Sequence, residues 1–156
     1  MRRPLRWGIL GTGLIAGIFT SDLRASGLTV VAAGSRDRSS AERFAAEHDL
    51  IRSHGSYAAL CEDPAVDIVY VATPNVLHLE NALLAISRGK HVLVEKPFAM
   101  DEAQASAIAE AARAAGVVVM EAMWTRFLPH MVRVRELVGG GALGDVRTVM
   151  ADHDQR

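Results

Sequence analysis

The hexapeptide Gly11-Thr12-Gly13-Leu14-Ile15-Ala16 has the form G-x-G-x-x-A. It follows a β-rich run at residues 5–10 and opens a helical pattern at residues 14–26, which Gly27 ends. Each position has a physical reason. Gly11 permits a tight turn, Gly13 lets backbone approach a ligand with no side chain in the way, and Ala16 is small enough for close helix–strand packing. Free N–H groups at the helix start favour an anion such as a pyrophosphate. Strand, turn and helix in this order make a dinucleotide-binding unit. The chain carries its own control: Gly139-x-Gly141-x-x-Gly144 has the same spacing but follows a helical pattern and precedes a strand pattern. That order is wrong for holding a phosphate, and the segment reads as a flexible joint.

The rest of the chain alternates in the same way. Strands are expected at residues 28–33, 51–53, 67–72, 91–94, 117–120 and 146–151. Helices are expected from a capping box at Ser39 and Glu42 to about His48, and at residues 57–61, 76–88 and 129–138. A further helix runs from a box at Asp101 and Gln104 to Ala115, with Gly116 behind it. Several strands, DIVYVA among them, are apolar on consecutive residues, which a strand does when both sheet faces are buried. The expected class is therefore α/β: a Rossmann-type, doubly wound, mostly parallel sheet with helices on both faces. The expected division is a dinucleotide-binding domain at residues 1–123 and, at 124–156, a helix, a glycine-rich joint and the first strand of a second domain.

Composition excludes several classes. Half the 156 residues are hydrophobic and the formal net charge is −1, so neither disorder nor a basic surface for nucleic acid or anionic membrane is expected. Arg2 and Arg3 before the apolar run at residues 7–19 imitate a signal peptide, but Gly8, Gly11 and Gly13 interrupt it, and the strand–turn–helix reading is preferred. One cysteine, Cys61, allows no internal disulfide and fits a reducing, cytoplasmic location. The histidines show no metal-ligand spacing with Cys61, and no metal is expected. No G-x-S-x-G elbow or P-loop is present.

Ligands of open α/β sheets lie beyond the carboxyl ends of the strands. Four segments fall there: Gly11–Ala16, Ser35-Arg36, Thr73 to His78, and Glu95-Lys96. After the second strand, Ser35 can hydrogen-bond a ribose 2′-phosphate, and Arg36 can pair with it and stack on adenine. These favour NADP over NAD. Asp37 is the rival, as an acid that could hold a ribose 2′-hydroxyl, although it comes later than such an acid normally falls.

The runs WGILGTGLIA, ATPNVLH and GKHVLVEKPFAM resemble the glucose-fructose oxidoreductase / inositol dehydrogenase (Gfo/Idh/MocA) family. The run EAMWTRFLP at residues 121–129 resembles, more narrowly, its dimeric dihydrodiol dehydrogenase and sugar dehydrogenase branch. The resemblance implies an NAD(P)-dependent dehydrogenase of a sugar, polyol or cyclic diol. It places Lys96 near the nicotinamide and the substrate hydroxyl, as catalyst, with a Lys96-Pro97 bond commonly cis. It places Glu95 on the cofactor side, Thr73, Asn75 and His78 along the dinucleotide cleft, and Trp124 and Arg126 beside the substrate. In the family a second domain follows, which completes catalysis and often provides an oligomer interface. This chain is therefore expected to be the cofactor-binding portion. The alternatives are a non-catalytic dinucleotide-binding module and an inactive truncated product. On the residues alone, Lys96 reads as a solvated lysine, His78 as a polar first-turn residue, and Trp124 and Phe127 as packing at a joint.

Overall fold

A computed structural model describes residues 3–152; Met1, Arg2 and the tail from His153 to Arg156, with the last histidine, lie outside the described residues. The chain divides into two compact units, Met1–Ala122 and Met123–Arg156.

In the first unit β1 (Arg6–Leu10), β2 (Thr29–Gly34), β3 (Arg52–His54), β4 (Ile68–Val71), β5 (His91–Val94) and β6 (Val119–Glu121) alternate with helices. These are α1 (Leu14–Ala25), α2 (Arg38–Glu47), α3 (Tyr57–Glu62), α4 (His78–Ser87) and α5 (Glu102–Ala115). The strands form one sheet in the order β3-β2-β1-β4-β5-β6, and every pair is parallel. This is the Rossmann order, with the reversal of strand order between β1 and β4.

Successive residues of a strand serve opposite faces. Ile9, Tyr70 and Leu93 join a cluster with Leu23 of α1 and Phe44 of α2. Their neighbours Leu10, Val71 and Val94 join another with Leu60 of α3, Ile86 of α4 and Ile108 of α5. Each fully buried aliphatic chain contributes about 1.5–3 kcal/mol. Consecutive apolar residues in the strands are thus the signature of a sheet covered on both sides.

Four local expectations are corrected. The cap of α2 is Asp37, not Ser39: the Asp37 carboxylate accepts from the Ser40 N–H at 2.9 Å, and Ser39 lies inside the helix. A carboxylate on extended backbone outcompetes the hydroxyl two residues later. At residues 75–77 the chain forms a 3₁₀ turn, Asn75–Leu77, and α4 starts at His78. No strand forms at 146–151; Val149 and Met150 are 81% and 92% exposed. An extended segment becomes a strand only with a partner to pair with, and none pairs with it among the described residues. At α5 the box is only half formed. Asp101 accepts from Gln104 N–H at 2.8 Å, while the Gln104 side chain accepts from Met100 N–H at 3.4 Å instead of returning to Asp101.

The second unit contains a 3₁₀ turn, Trp124–Phe127, and α6, Pro129–Gly139, which starts with proline in its first turn and buries no residue. Gly141 and Gly144 follow with positive φ, as turn residues. No described helix is long and apolar enough to cross a membrane.

Candidate functional site

The strand register lines up His54, Gly34, Leu10, Val71, Val94 and Glu121 in one row across the sheet. The residues after this row form the carboxyl edge, and the expected site segments of the first unit all follow it. Ligands bind there, where the strand order reverses.

At that reversal the turn after β1 meets the end of β4. Gly11 has φ +108, and a Cβ on it would lie 2.7 Å from the Ala72 carbonyl oxygen. Its N–H donates to the Gly34 carbonyl at 2.9 Å, tying the turn to β2. Gly13 differs: its φ of −83° is ordinary extended backbone, and apart from its chain neighbours no atom lies within 4 Å of where its Cβ would be. Ala16 is completely buried under the helix start. Thr12 is half-buried, and Leu14 and Ile15 are exposed. No side chain caps α1 and no acid occupies its first turn, whereas α2, α3 and α5 are capped by Asp37, Ser56 and Asp101. The first α1 N–H groups therefore have no side-chain partner, and the helix dipole there favours an anion. An open groove of about 540 Å³ runs from Thr12 and Gly13 along α1 to Phe44 and His48.

Beyond β2, Ser35 is half-buried and Arg36 exposed. The Ser35 hydroxyl oxygen accepts from Asp37 N–H at 3.3 Å, which leaves its hydrogen free to donate. Asp37 is engaged by α2: its Oδ2 accepts from the hydroxyls of Ser39 and Ser40, each at 2.7 Å. The Ser40 and Ser39 hydroxyls pull its carboxyl down to about 2.

Beyond β4, Thr73 is buried and its hydroxyl accepts from the Asn81 amide at 3.0 Å, while Asn75 is exposed. His78 is fully buried. The ring nitrogens lie 2.8 Å from the Pro97 carbonyl oxygen and 2.9 Å from that of Thr73, bridging the segments that follow β5 and β4.

Beyond β5, Glu95 is half-buried and Lys96 is exposed, and the Lys96-Pro97 bond is cis. The Tyr70 hydroxyl donates to Glu95 Oε1, and Lys96 N–H donates to Glu95 Oε2 at 3.0 Å. Burial first, and Glu95 second, push the Tyr70 phenol well above its ordinary range. Beyond β6, Glu121 accepts from Phe98 N–H at 2.9 Å. Sequence reasoning passed over Tyr70 and Glu121. The available signal was a hydroxyl inside an apolar strand, and a carboxylate at a strand's carboxyl end. Trp124, 63% exposed, and Arg126, also exposed, lie in the second unit.

Together these features define the class: a Rossmann domain with a glycine turn, an uncapped first helix and a polar carboxyl edge, suited to a dinucleotide. Comparison with known proteins narrows it. Residues 5–123 match the model of the Gfo/Idh/MocA oxidoreductase family, NAD-binding Rossmann fold, and the chain belongs to that family. Trans-1,2-dihydrobenzene-1,2-diol dehydrogenase of Bos taurus is 42% identical over 151 residues, covering 95% of this chain and 45% of that protein. D-xylose 1-dehydrogenase (NADP(+)) of Hypocrea jecorina is 40% identical over 161 residues, covering 95% of this chain and 41% of that protein. These relatives represent the branch that residues 121–129 resemble. The chain spans less than half the length of either. Among solved structures, KijD10, a 3-ketoreductase from Actinomadura kijaniata in complex with TDP-benzene and NADP, superposes with a TM-score of 0.83 at 35% identity. That match covers 93% of this chain and 46% of KijD10. A levoglucosan dehydrogenase in complex with NADH and levoglucosan superposes with a TM-score of 0.83 at 25% identity, covering 91% of this chain and 41% of that one.

Proposed function

We propose that this chain is the cofactor-binding portion of an NADP-dependent oxidoreductase acting on a CH–OH group of a sugar, polyol or cyclic diol. Gly13 carries the reading. Neither its backbone nor its surroundings require glycine, yet a side chain there would fill the space in front of the uncapped α1 N–H groups. A pyrophosphate fits that cradle.

The choice of NADP rests on Asp37 and its neighbours. With its carboxylate turned back onto α2, Asp37 is occupied as a cap, while Ser35 and Arg36 offer a donor and a cation to a 2′-phosphate. The name of the xylose dehydrogenase and the NADP in KijD10 support the same choice.

When bound, the oxidised cofactor supplies the hydride acceptor. Gly11, Thr12, Gly13, Leu14, Ile15 and Ala16 would hold its pyrophosphate, and Thr73 and Asn75 would border it. Glu95 would lie on the nicotinamide side. Lys96, a donor on a flexible four-carbon stem at the same edge, would hydrogen-bond the substrate oxygen and steady the charge that develops on it. Trp124 and Arg126 would border the substrate. Sugar and diol substrates are proposed from the names of the relatives.

The test is a fluorescence titration of the purified chain with NADPH and with NADH, repeated on Arg36→Ala. Tighter binding of NADPH is expected, with a loss in Arg36→Ala about tenfold larger for NADPH than for NADH, the worth of one charge-assisted contact to the 2′-phosphate. Equal loss for both nucleotides, or tighter NADH, would sink the NADP assignment.

A further inference from the structure

Lys96 stands on a segment whose backbone is held at three consecutive residues. The Lys96 N–H donates to Glu95 Oε2 at 3.0 Å, the Pro97 carbonyl lies 2.8 Å from His78 Nδ1, and the Phe98 N–H donates to Glu121 Oε1 at 2.9 Å. Behind these, the Tyr70 hydroxyl donates to the other oxygen of Glu95. The anchors come from β4, α4, the end of β5 and β6, so no single local turn accounts for them.

Packing does not explain the polar atoms used. The Tyr70 ring is fully buried and stacks on Phe19, with centroids 4.1 Å apart, which a phenylalanine would do equally well. Its hydroxyl donates to Glu95, the residue that follows β5. Glu121 ends the outermost strand, a position where a carboxylate ordinarily turns to water; here it accepts a backbone N–H from the segment after β5. Hydrogen bonds from backbone N–H to a carboxylate are among the stronger ones, and they restrict direction as well as distance.

We propose that Tyr70 and Glu121 are positioning residues that fix the aim of Lys96: Glu121 by holding the Phe98 amide, Tyr70 by holding the Glu95 carboxylate that bonds the Lys96 amide. This rests on the reading that Lys96 meets the reacting hydroxyl, and it deepens that reading. A donor on a flexible side chain works only if its backbone root is fixed, because a displacement of about 1 Å at a reacting centre can cost about a hundredfold in rate.

The composition makes the idea testable without substrate. The chain has two lysines, Lys90 and Lys96. Lys90 sits at the opposite end of β5, its ammonium donating to the Asp63 and Val66 carbonyls at 2.8 and 2.7 Å, and serves as an internal reference. The whole chain would be labelled with nitrogen-15 at lysine and phenylalanine and its amide signals recorded without cofactor. Glu121→Ala is expected to move the Lys96 and Phe98 signals and speed exchange of the Phe98 amide hydrogen about tenfold or more, the loss of one hydrogen bond. Lys90 should stay in place. Glu121→Gln, whose carbonyl still accepts, should restore both signals. Tyr70→Phe should move Lys96 while the fold is kept.

Lys96 and Phe98 signals and exchange rates unchanged in Glu121→Ala and Tyr70→Phe would overturn the proposal. So would a Lys90 signal that moves as far as that of Lys96, because the effect would then be general. Should Glu121→Ala fail to fold, Tyr70→Phe decides by the same signals. Adding NADP+ afterwards tests the functional reading separately. If the unaltered chain shows no shift at Lys96 with cofactor, that reading fails, while the cofactor-free signals still decide whether the segment is clamped.

Discussion

Gly11 and Gly13 stand two residues apart and are glycine for different reasons. Gly11 is required by the fold, through its positive φ and the Ala72 carbonyl that a Cβ would strike. Gly11→Ala should therefore destabilise the chain by about 1–3 kcal/mol, read from urea denaturation, whatever it does to binding. Cys61 gives a second residue-scale prediction. It is buried, and burial pushes its thiol up to about 11, ahead of the opposing pull of Lys90 and Arg88. Ellman's reagent at pH 8 should leave it unmodified in the native chain and modify it in denaturant; rapid native reaction would contradict its placement. At this scale the sequence was readable where chemistry is local. The glycine turn, Ser35, Arg36 and Lys96 could all be placed at strand ends from their order alone. The burial of His78 could not. It depends on Thr73 and Pro97 offering carbonyls to one ring from two different segments, a long-range fact.

Among the elements, α2 shows how a cap can decide chemistry. Its Asp37 carboxylate was legible as an acid after β2, but not as a cap, because Ser39 with Glu42 offered a competing start. The folded structure settles the contest through three bonds to Ser39 and Ser40. The consequence is a pH dependence. Asp37 falls from 3.8 in the free state to about 2 when folded, and Asp67 is likewise held low by the Arg3 and Arg6 guanidiniums. Both groups therefore add stability that is complete above the unfolded value and is lost as pH falls through the folded one. Thermal midpoints should drop between about pH 5 and pH 2, and Asp37→Asn, which can still cap, should show a shallower drop. An equal drop in both would mean that Asp37 is free in solution. The other elements were read within a residue or two wherever periodicity and caps agreed. β6 begins two residues later than its apolar run suggests, because Gly116 takes a left-handed φ and Val117 N–H bonds back to the Ala112 carbonyl. The run at 146–151 has strand composition, but composition supplies no partner strand.

For the molecule as a whole, alternation of strands and helices was enough to expect the doubly wound sheet, and the parallel order β3-β2-β1-β4-β5-β6 carries it out. That order brings four distant segments to one edge, which is why the candidate site was visible before any distance was known. What lay beyond the sequence was the support under the edge: Tyr70 and Glu121 bond residues that follow another strand, and neither the run DIVYVA nor the run EAMWTRFLP says what their polar atoms meet. The function proposed for this edge depends on whether the space at Gly13 belongs to a dinucleotide. Gly13→Ser isolates the question, because serine is a favourable residue at a helix start and the backbone there suits it. The decisive measurement is the NADPH titration of this variant beside the unaltered chain, each with its melting curve. Saturable binding is expected of the unaltered chain, and of Gly13→Ser an undiminished melting temperature with binding weakened about tenfold or more. A folded unaltered chain that does not bind, or a serine variant that binds as tightly, would contradict the proposed function.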